Sequence, residues 1–394
     1  MKEIKSSVAE GFSITRGGPL HWLLLRLGHA GDERQRVVRR ALAAVLITWL
    51  PLLVLSLVQG EAYDPHIKIP FLRDLAVNVR FLIAVPILIL AESGIDKRWH
   101  TLALEFLRSG LVTAKELPSF EVVIEKTARL RDRVLPEVLL MVAAVLPAIF
   151  LRTELLMSGV SNWHTAGVGS GEVSSAGWWF NLVSTPVFRL LCFRWLWRLF
   201  LWTSFLRRVS RLNLYLVATH TDRAAGLGFL SEGQKAFSPI VFAMGAVIAA
   251  QVANTIAYQG ATLSSQKVPM IGYAVIAILA LVAPLLVVAP VLLKIKRKAL
   301  REYGALVTIH DQLFDQKWIQ KKGPPGEVIL GNPDASSLCD LGNSFAVIRE
   351  MGIVPIDKPT LITLALAAAL PMVPVVLYAT PADELIRAVL KMLG

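Results

Sequence analysis

The chain has 394 residues, of which 55% are hydrophobic and 18% are charged, and its mean hydropathy is +0.57. Ordinary soluble domains contain about 45–50% apolar residues, so this composition excludes that class and predicts a multi-pass membrane protein. The formal net charge of +12 comes largely from Lys and Arg beside apolar runs, where membrane topology places them. We therefore expect a lipid bilayer as partner and no nucleic acid.

Seven apolar runs reach or approach the ~20 residues that a membrane-spanning helix requires. Lys and Arg are frequent after the second, fourth and sixth runs and scarce in the other loops, so the positive-inside rule puts the N-terminus inside. The predicted fold class is an all-α, polytopic transmembrane helix bundle of about seven spans. The runs are 41–60, 74–93, 135–152, 179–206, 237–258, 270–294 and 360–380.

The segments between these runs define the predicted organisation. The first 40 residues have no apolar core followed by a cleavage site, so we expect no signal peptide to be removed. Apolar residues at helical spacing among charges predict amphipathic helices that form a helical cytoplasmic layer. The predicted N-terminal unit is a cytoplasmic or interfacial segment, 1–40, in which 19–28 lie flat in the interface. Spans one and two follow in 41–93, cytoplasmic amphipathic helices in 94–134, and spans three to six in 135–294, with a cytoplasmic connector in 207–236. The last units are a cytoplasmic helical segment in 295–358 and the last span with a short C-terminal helix in 359–394.

Three arginines interrupt the fourth run, FRLLCFRWLWRLFLW. An arginine at the bilayer centre costs roughly 2.5–3.5 kcal/mol even on the lenient insertion scale, so Arg189, Arg194 and Arg198 require partners. Arg194 and Arg198 are four residues apart and share a helix face, whereas Arg189 points away from both. The sequence therefore predicts that these charges divide between two faces of the helix.

Two interpretations of these charges stay open. In the first, Glu92 in the second run and Glu137 in the third run pair with Arg194 and Arg198 in an ion-pair network. In the second, the arginines line a water-filled path that selects anions. The first interpretation concerns stability and the second concerns function.

A second feature is the stretch HTDRAAGLGFL, residues 220–230, between the fourth and fifth runs. Its glycines permit backbone shapes that other residues resist, and a His near an Asp suits an acid–base pair or part of a metal site. One interpretation is a polar turn that locks the entrance of the fifth helix, and another is a ligand or gating site. The usual metal and phosphate motifs are missing, so we expect no metal and no cofactor. The residues of this motif are His220, Asp222, Arg223, Gly226 and Gly228.

The stretches VRFLIAVPILILAE, HTDRAAGLGFL and SSLCDLGNSFAVIREMGIVPID together resemble a family of uncharacterised bacterial polytopic inner-membrane proteins. In that family an H-x-D-R-x-x-G-L-G stretch precedes a span, and an S-L-x-D-L-type helix precedes the last one. The likeness covers most of the chain, from residue 40 to residue 375. The resemblance implies the cytoplasmic membrane of a bacterium and carries no activity with it.

The predicted function is an oligomeric channel or transporter for small ions, with anions favoured because arginines outnumber acids in the spans. Arg194 and Arg198 would attract the ion, Arg80 or Arg189 would line the outer half, and the 220–228 turn would couple the cytoplasmic helices to the pore. We expect a homo-oligomer. Two alternatives stay open: a membrane-embedded enzyme that acts on a lipid headgroup through the His and Asp of that turn, and a membrane sensor or scaffold.

Overall fold

The structure is a computed structural model that describes residues 11–18, 33–150, 162–165, 173–324, 326–329 and 331–380, with the backbone alone at 149 and 150. The predicted interfacial segment 19–28 and the predicted C-terminal helix after residue 380 lie outside the described residues. Every regular element in the described part is helical, apart from two isolated β-bridges. The all-α fold class is therefore confirmed.

The first part of the chain forms helices that are separated by proline, by capping residues or by short irregular turns. Two of these helices continue through a π-helical turn into the next helix. The elements are α1 (Glu33–Thr48), α2 (Leu50–Val58), a 3-10 turn (Phe71–Arg73), α3 (Leu75–Val79), a π turn (Arg80–Ala84), α4 (Val85–Arg108), α5 (Leu117–Arg131), α6 (Val134–Phe150), α7 (Ser175–Trp179), a π turn (Phe180–Ser184) and α8 (Thr185–Val209).

The second part of the chain continues in the same way. The side chain of Asn332 accepts a hydrogen bond from the N–H of Asp334 and begins one helix, and that of Asp357 accepts from Thr360 and begins the next. The elements are α9 (Leu230–Lys235), α10 (Ser238–Gln259), α11 (Leu263–Val282), a 3-10 turn (Ala283–Val288), α12 (Ala289–Phe314), a π turn (Asp315–Ile319), α13 (Pro333–Glu350), α14 (Lys358–Ala369), a 3-10 turn (Leu370–Met372) and α15 (Val373–Ala379).

Several helices can cross a membrane. The third predicted run forms α6, which is shorter than a usual span. The fourth run covers the end of α7, the π turn and most of α8, and α8 carries the arginines. The regular elements of the described ranges are thus helical, and several helices have the length and apolarity of membrane spans, while seven spans and their direction stay predictions. Five helices among the described residues are long and apolar enough to span: Arg34–Val58, Leu75–Arg108, Leu230–Gln259, Leu263–Ile319 and Lys358–Ala379.

Two long helices share the same bent design. The first bent helix, Leu75–Arg108, consists of α3, its π turn and α4, and the second bent helix, 175–209, consists of α7, its π turn and α8. In each, a proline is the second residue after the π turn, Pro86 in the first and Pro186 in the second. Proline lacks an N–H and clashes with the preceding turn, and a π turn is one of the ways in which a helix accommodates such a break.

The second bent helix packs on a proline break between α1 and α2. Pro51 has no N–H to donate to the carbonyl of Ile47, and Trp179 Nε1 donates to that carbonyl at 3.0 Å instead. Ser184 Oγ donates to the carbonyl of Thr48 at 2.7 Å. In a bilayer a freed carbonyl requires such a partner, so the break fixes the position of the second bent helix beside α1.

Asp74 joins the first bent helix to two distant parts of the chain. This buried side chain accepts a hydrogen bond from the N–H of Val77 at 3.1 Å, which begins α3. It also accepts from Asn254 Nδ2 of α10 at 2.8 Å and from Trp163 Nε1 at 3.0 Å. One carboxylate therefore holds together α3, α10 and the 162–165 loop.

Three basic segments next to the apolar helices contact one another. The N–H of Tyr215 donates to the carbonyl of Leu111 at 2.8 Å, and the N–H of Gly352 donates to the carbonyl of Arg223 at 2.8 Å. We call these segments together the basic layer: residues 97–134, 207–236 and 295–358.

We predict that Asp74→Ala lowers the free energy of unfolding by about 2 kcal/mol or more, because a buried donor without an acceptor costs about 1–3 kcal/mol. The donors in question belong to Val77, Trp163 and Asn254. Asp74→Asn should cost less, since its amide keeps one acceptor oxygen. Denaturant unfolding in detergent tests this, with Asp64→Ala as the control, because among the described residues the Asp64 carboxylate bonds to exposed His66 alone. Equal stability of Asp74→Ala and the control would contradict the prediction.

Candidate anion site

The central interaction of the candidate site is an ion pair between the two bent helices. Arg198 Nη2 lies 2.8 Å from Glu92 Oε1, and these side chains are only 4% and 10% exposed. The guanidinium also stacks on Trp195, with its Cζ 4.6 Å from the ring centroid. Trp195 Nε1 in turn donates to the carbonyl of Leu88 at 3.0 Å. The pairing of Glu92 with Arg198 is one that the sequence predicts.

A second arginine, Arg40 of α1, approaches the same carboxylate. Its Nη1 lies 3.6 Å from Glu92 Oε2, so one carboxylate faces two guanidiniums from different helices. Arg40 is not among the predicted site residues, because the run ERQRVVRR in front of the first apolar run has the composition of a basic flank. The available signal was helical spacing: Arg40 follows buried Val37 by three residues and precedes Ala44 by four, which places it beside the core-facing stripe.

Arg194 lies within electrostatic range of Arg40, Glu92, Glu137 and Arg198. It is largely buried, keeps some accessible surface, and makes no hydrogen bond or ion pair with a residue that the structure describes. Among the described residues in this range, three guanidiniums face two carboxylates, so these groups carry a formal surplus of one positive charge. We call Arg40, Arg194 and Arg198, together with Glu92, the arginine cluster.

Some N–H groups of the arginine cluster have no acceptor. Arg40 Nε and Arg198 Nη1 are buried and lack a hydrogen-bond partner among the described residues. A buried donor without an acceptor costs about 1–3 kcal/mol, and more when it is charged. These donors and Arg194 would hydrogen-bond an anion that entered the cluster, since guanidinium N–H groups bind anionic oxygens strongly.

Arg80 and Arg189 form a second positive cluster. Arg80 stacks on Phe188, with its Cζ 5.5 Å from the ring centroid, and lies within electrostatic range of the Asp74 carboxylate and, more weakly, of Arg189. Arg80 Nε and Arg189 Nη1 are buried and have no hydrogen-bond partner in the described part of the chain. Helical geometry places Arg189 on the face of α8 opposite to Arg198. The charges therefore divide between two faces, as predicted.

The 220–228 turn is organised by the carboxylate of Asp222. Its Oδ1 accepts from the N–H groups of Ala224 at 2.8 Å and Gly226 at 3.1 Å, and its Oδ2 accepts from the N–H of Gly228 at 2.8 Å. His220 Nδ1 lies 2.9 Å from Oδ1. A Cβ on Gly228 would lie 2.9 Å from Oδ2, so the turn requires glycine there. The stretch is thus a polar turn that its own carboxylate organises, and the locking of the fifth helix stays a prediction.

The same turn links to the segment that precedes the last apolar helix. Arg223 Nη2 lies 3.0 Å from Glu350 Oε2 at the end of α13, and the carbonyl of Arg223 accepts from Gly352. Arg223 and Ala225 both have left-handed backbone, with φ of 55° and 56°. That conformation costs roughly 1–2 kcal/mol per residue, and the hydrogen bonds to Asp222 and Gly352 hold it in place.

The carboxylate of Asp222 stays ionised within this turn. Partial burial alone would raise its pKa, but hydrogen bonds from the N–H groups of Ala224, Gly228 and Gly226 outweigh burial and hold the pKa below the ordinary value of 3.8. In the described ranges, no group of three or more His, Cys, Asp and Glu side chains could hold a metal ion. The chemistry that the described groups support best is anion binding by arginine.

Comparison of the chain with protein-family models, with curated proteins and with solved structures finds no match. The resemblance to bacterial inner-membrane proteins therefore stays a prediction.

We predict that Glu92→Gln lowers the free energy of unfolding by about 3–5 kcal/mol, the usual cost of removing one partner of a buried ion pair. Adding Arg198→Gln should restore part of that loss, because the two side chains are coupled. Denaturant unfolding in detergent measures both effects.

The control for this test is the exposed pair of Glu125 and Arg129, whose atoms lie 2.9 Å apart. Glu125→Gln should change the stability by about 0.5 kcal/mol or less, as exposed ion pairs do. If Glu92→Gln were as mild as Glu125→Gln, or if the double variant were less stable than Glu92→Gln alone, the ion-pair account would be wrong.

We predict a pH dependence that belongs to Asp222. Since folding lowers its pKa below 3.8, the stability it contributes is fully present above the unfolded pKa and is lost as the pH falls through the folded pKa. Asp222→Asn should therefore lose less stability than the wild type between about pH 6 and about pH 3. Thermal unfolding of both proteins across that range tests this, and parallel pH curves would contradict it.

Proposed function

We propose that the chain is a multi-pass protein of the bacterial cytoplasmic membrane that binds small anions at the arginine cluster and passes them across the membrane, as a channel or a transporter. The observation that carries this proposal is Arg194, which lies among apolar helices without a hydrogen-bond partner in the described part of the chain. A central arginine costs roughly 2.5–3.5 kcal/mol. A bound anion would offset that cost.

The charge of the arginine cluster supports an anion over a cation. Glu92 is already engaged by Arg198 and Arg40, so its carboxylate has little capacity for a cation. The unpartnered N–H groups of Arg40 and Arg198 and the whole guanidinium of Arg194 remain as donors. Planar guanidinium groups suit anions, because their donors match anionic oxygens in direction as well as in charge.

The second cluster extends the proposal toward the other side of the membrane. Arg189 lies on a different face of the second bent helix from Arg198, and Arg80 belongs to the first bent helix. Both present further buried donors without partners among the described residues. Positively lined pores of this kind select anions. We assign Arg80 and Arg189 the role of a second, separate binding site for the ion.

The orientation of the proposed path follows from charge. The basic layer would face the cytoplasm under the positive-inside rule, with the 220–228 turn coupling α13 to the helices that hold the arginines. The homo-oligomer stays a prediction, and mass photometry of the protein in lipid nanodiscs measures it.

We predict that purified protein in liposomes passes chloride or nitrate faster than empty liposomes do. Arg194→Gln should reduce that flux at least about tenfold, which corresponds to about 1.4 kcal/mol, because it removes the donor group without a partner. Arg194→Lys keeps the charge and should retain part of the flux. Arg211→Gln is the matched control, since Arg211 is exposed in the basic layer.

The flux is measured with an anion-sensitive dye trapped inside the liposomes, with potassium flux measured in parallel. Wild-type flux equal to that of empty liposomes would contradict the proposal. So would full flux in Arg194→Gln, or equal loss of flux in Arg194→Gln and Arg211→Gln.

A further inference from the structure

A groove of about 570 Å³ lies between α4 of the first bent helix and the segment that begins α10. Along α4 its wall is apolar and includes Ile87, Leu90 and Ile95, and Pro239 lies on the opposite side. Leu90 is 43% exposed, so the wall continues into a surface that lipid tails would cover. The volume is within the usual range of ligand pockets, about 300–1,000 Å³.

The groove also carries charged side chains, where α4 runs into the basic layer. Arg98 Nη1 lies 3.9 Å from Glu232 Oε2, and Lys235 Nζ lies 3.5 Å from Glu232 Oε1. The three side chains are 52%, 41% and 38% exposed in the order Arg98, Lys235, Glu232. Two cations share one carboxylate, so this part of the groove has a formal surplus of one positive charge and accessible donors.

We propose that this groove binds one anionic phospholipid, with an acyl chain along the apolar wall and the phosphate between Arg98 and Lys235. The net negative charge of such a headgroup matches the surplus positive charge, and basic side chains near a membrane surface attract anionic lipids in this way. A zwitterionic headgroup lacks this match, because its own cation cancels the phosphate charge. The apolar wall distinguishes a lipid from a soluble anion. Lipid binding in this groove requires that the chain lies in a membrane, but it does not require that the arginine cluster passes anions. The two proposals can therefore fail independently.

Gly94 provides a test of the groove that leaves the charges intact. It lines the groove, and a Cβ there would meet no atom within 4 Å. Gly94→Leu therefore fills the groove without displacing a neighbour. Gly272 of α11 is equally open, so Gly272→Leu is a matched control for the added apolar bulk.

The experiment is native mass spectrometry of delipidated protein in detergent, titrated with phosphatidylglycerol or phosphatidylcholine. Wild type should bind phosphatidylglycerol more tightly. Arg98→Gln with Lys235→Gln should weaken that binding roughly fivefold for each basic residue removed and leave phosphatidylcholine binding unchanged. Gly94→Leu should weaken the binding of phosphatidylglycerol, and Gly272→Leu should not.

Equal binding of phosphatidylglycerol by Gly94→Leu and Gly272→Leu would overturn the proposal. Equal affinity of the wild type for the two lipids would also overturn it, and so would displacement of phosphatidylglycerol by millimolar inorganic phosphate, which would indicate a soluble-anion site. Lipid binding is compared only for variants whose unfolding temperature equals that of the wild type. If the double charge variant fails to fold, the comparison of the two glycine variants decides.

Discussion

A guanidinium among apolar helices requires negative charge, and Glu92 meets that requirement for the bundle. Its carboxylate binds Arg198 at 2.8 Å and faces Arg40 at 3.6 Å. These three residues come from the first bent helix, the second bent helix and α1, so one buried carboxylate determines how three helices meet. Removing either sign of charge alone leaves the other buried without a partner, which is why such a site constrains the bundle so strongly.

The second constraint is the backbone. Prolines interrupt the apolar helices, and each freed carbonyl inside a bilayer requires a donor. Trp179 Nε1 supplies a donor for the carbonyl of Ile47, and Ser184 Oγ donates to the carbonyl of the next residue, Thr48. These bonds fix the second bent helix beside α1, and that packing brings Arg198 close to Glu92 and Arg40. The proline breaks and the arginine cluster are therefore parts of one arrangement.

Residues close together in a regular helix could be predicted from the sequence. The apolar runs and the shared face of Arg194 and Arg198 follow from composition and helical spacing. The pairing of Glu92 with Arg198 was one of two interpretations, reached from the scarcity of acids in the apolar runs rather than from spacing. The glycines of the HTDRAAGLGFL stretch predict a polar turn, but that the Asp222 carboxylate binds three N–H groups of this turn is visible only in the structure.

Contacts between distant segments could not be predicted. Arg40 looked like a flanking charge, because nothing local shows that α1 packs on the first bent helix. Asp74 bonds to Trp163 and Asn254, which lie far away in sequence. The π turns were missed because π and α turns differ in backbone pairing rather than in residue type.

The central claim is that the unpartnered guanidinium of Arg194 binds an anion. The most direct measurement is anomalous diffraction from crystals of the protein grown in lipid with bromide. The account predicts a bromide peak within hydrogen-bonding distance of Arg194, beside Arg198. A structure at adequate bromide concentration with no peak there, and with Arg194 bonded to the carboxylate of Glu137 instead, would contradict it.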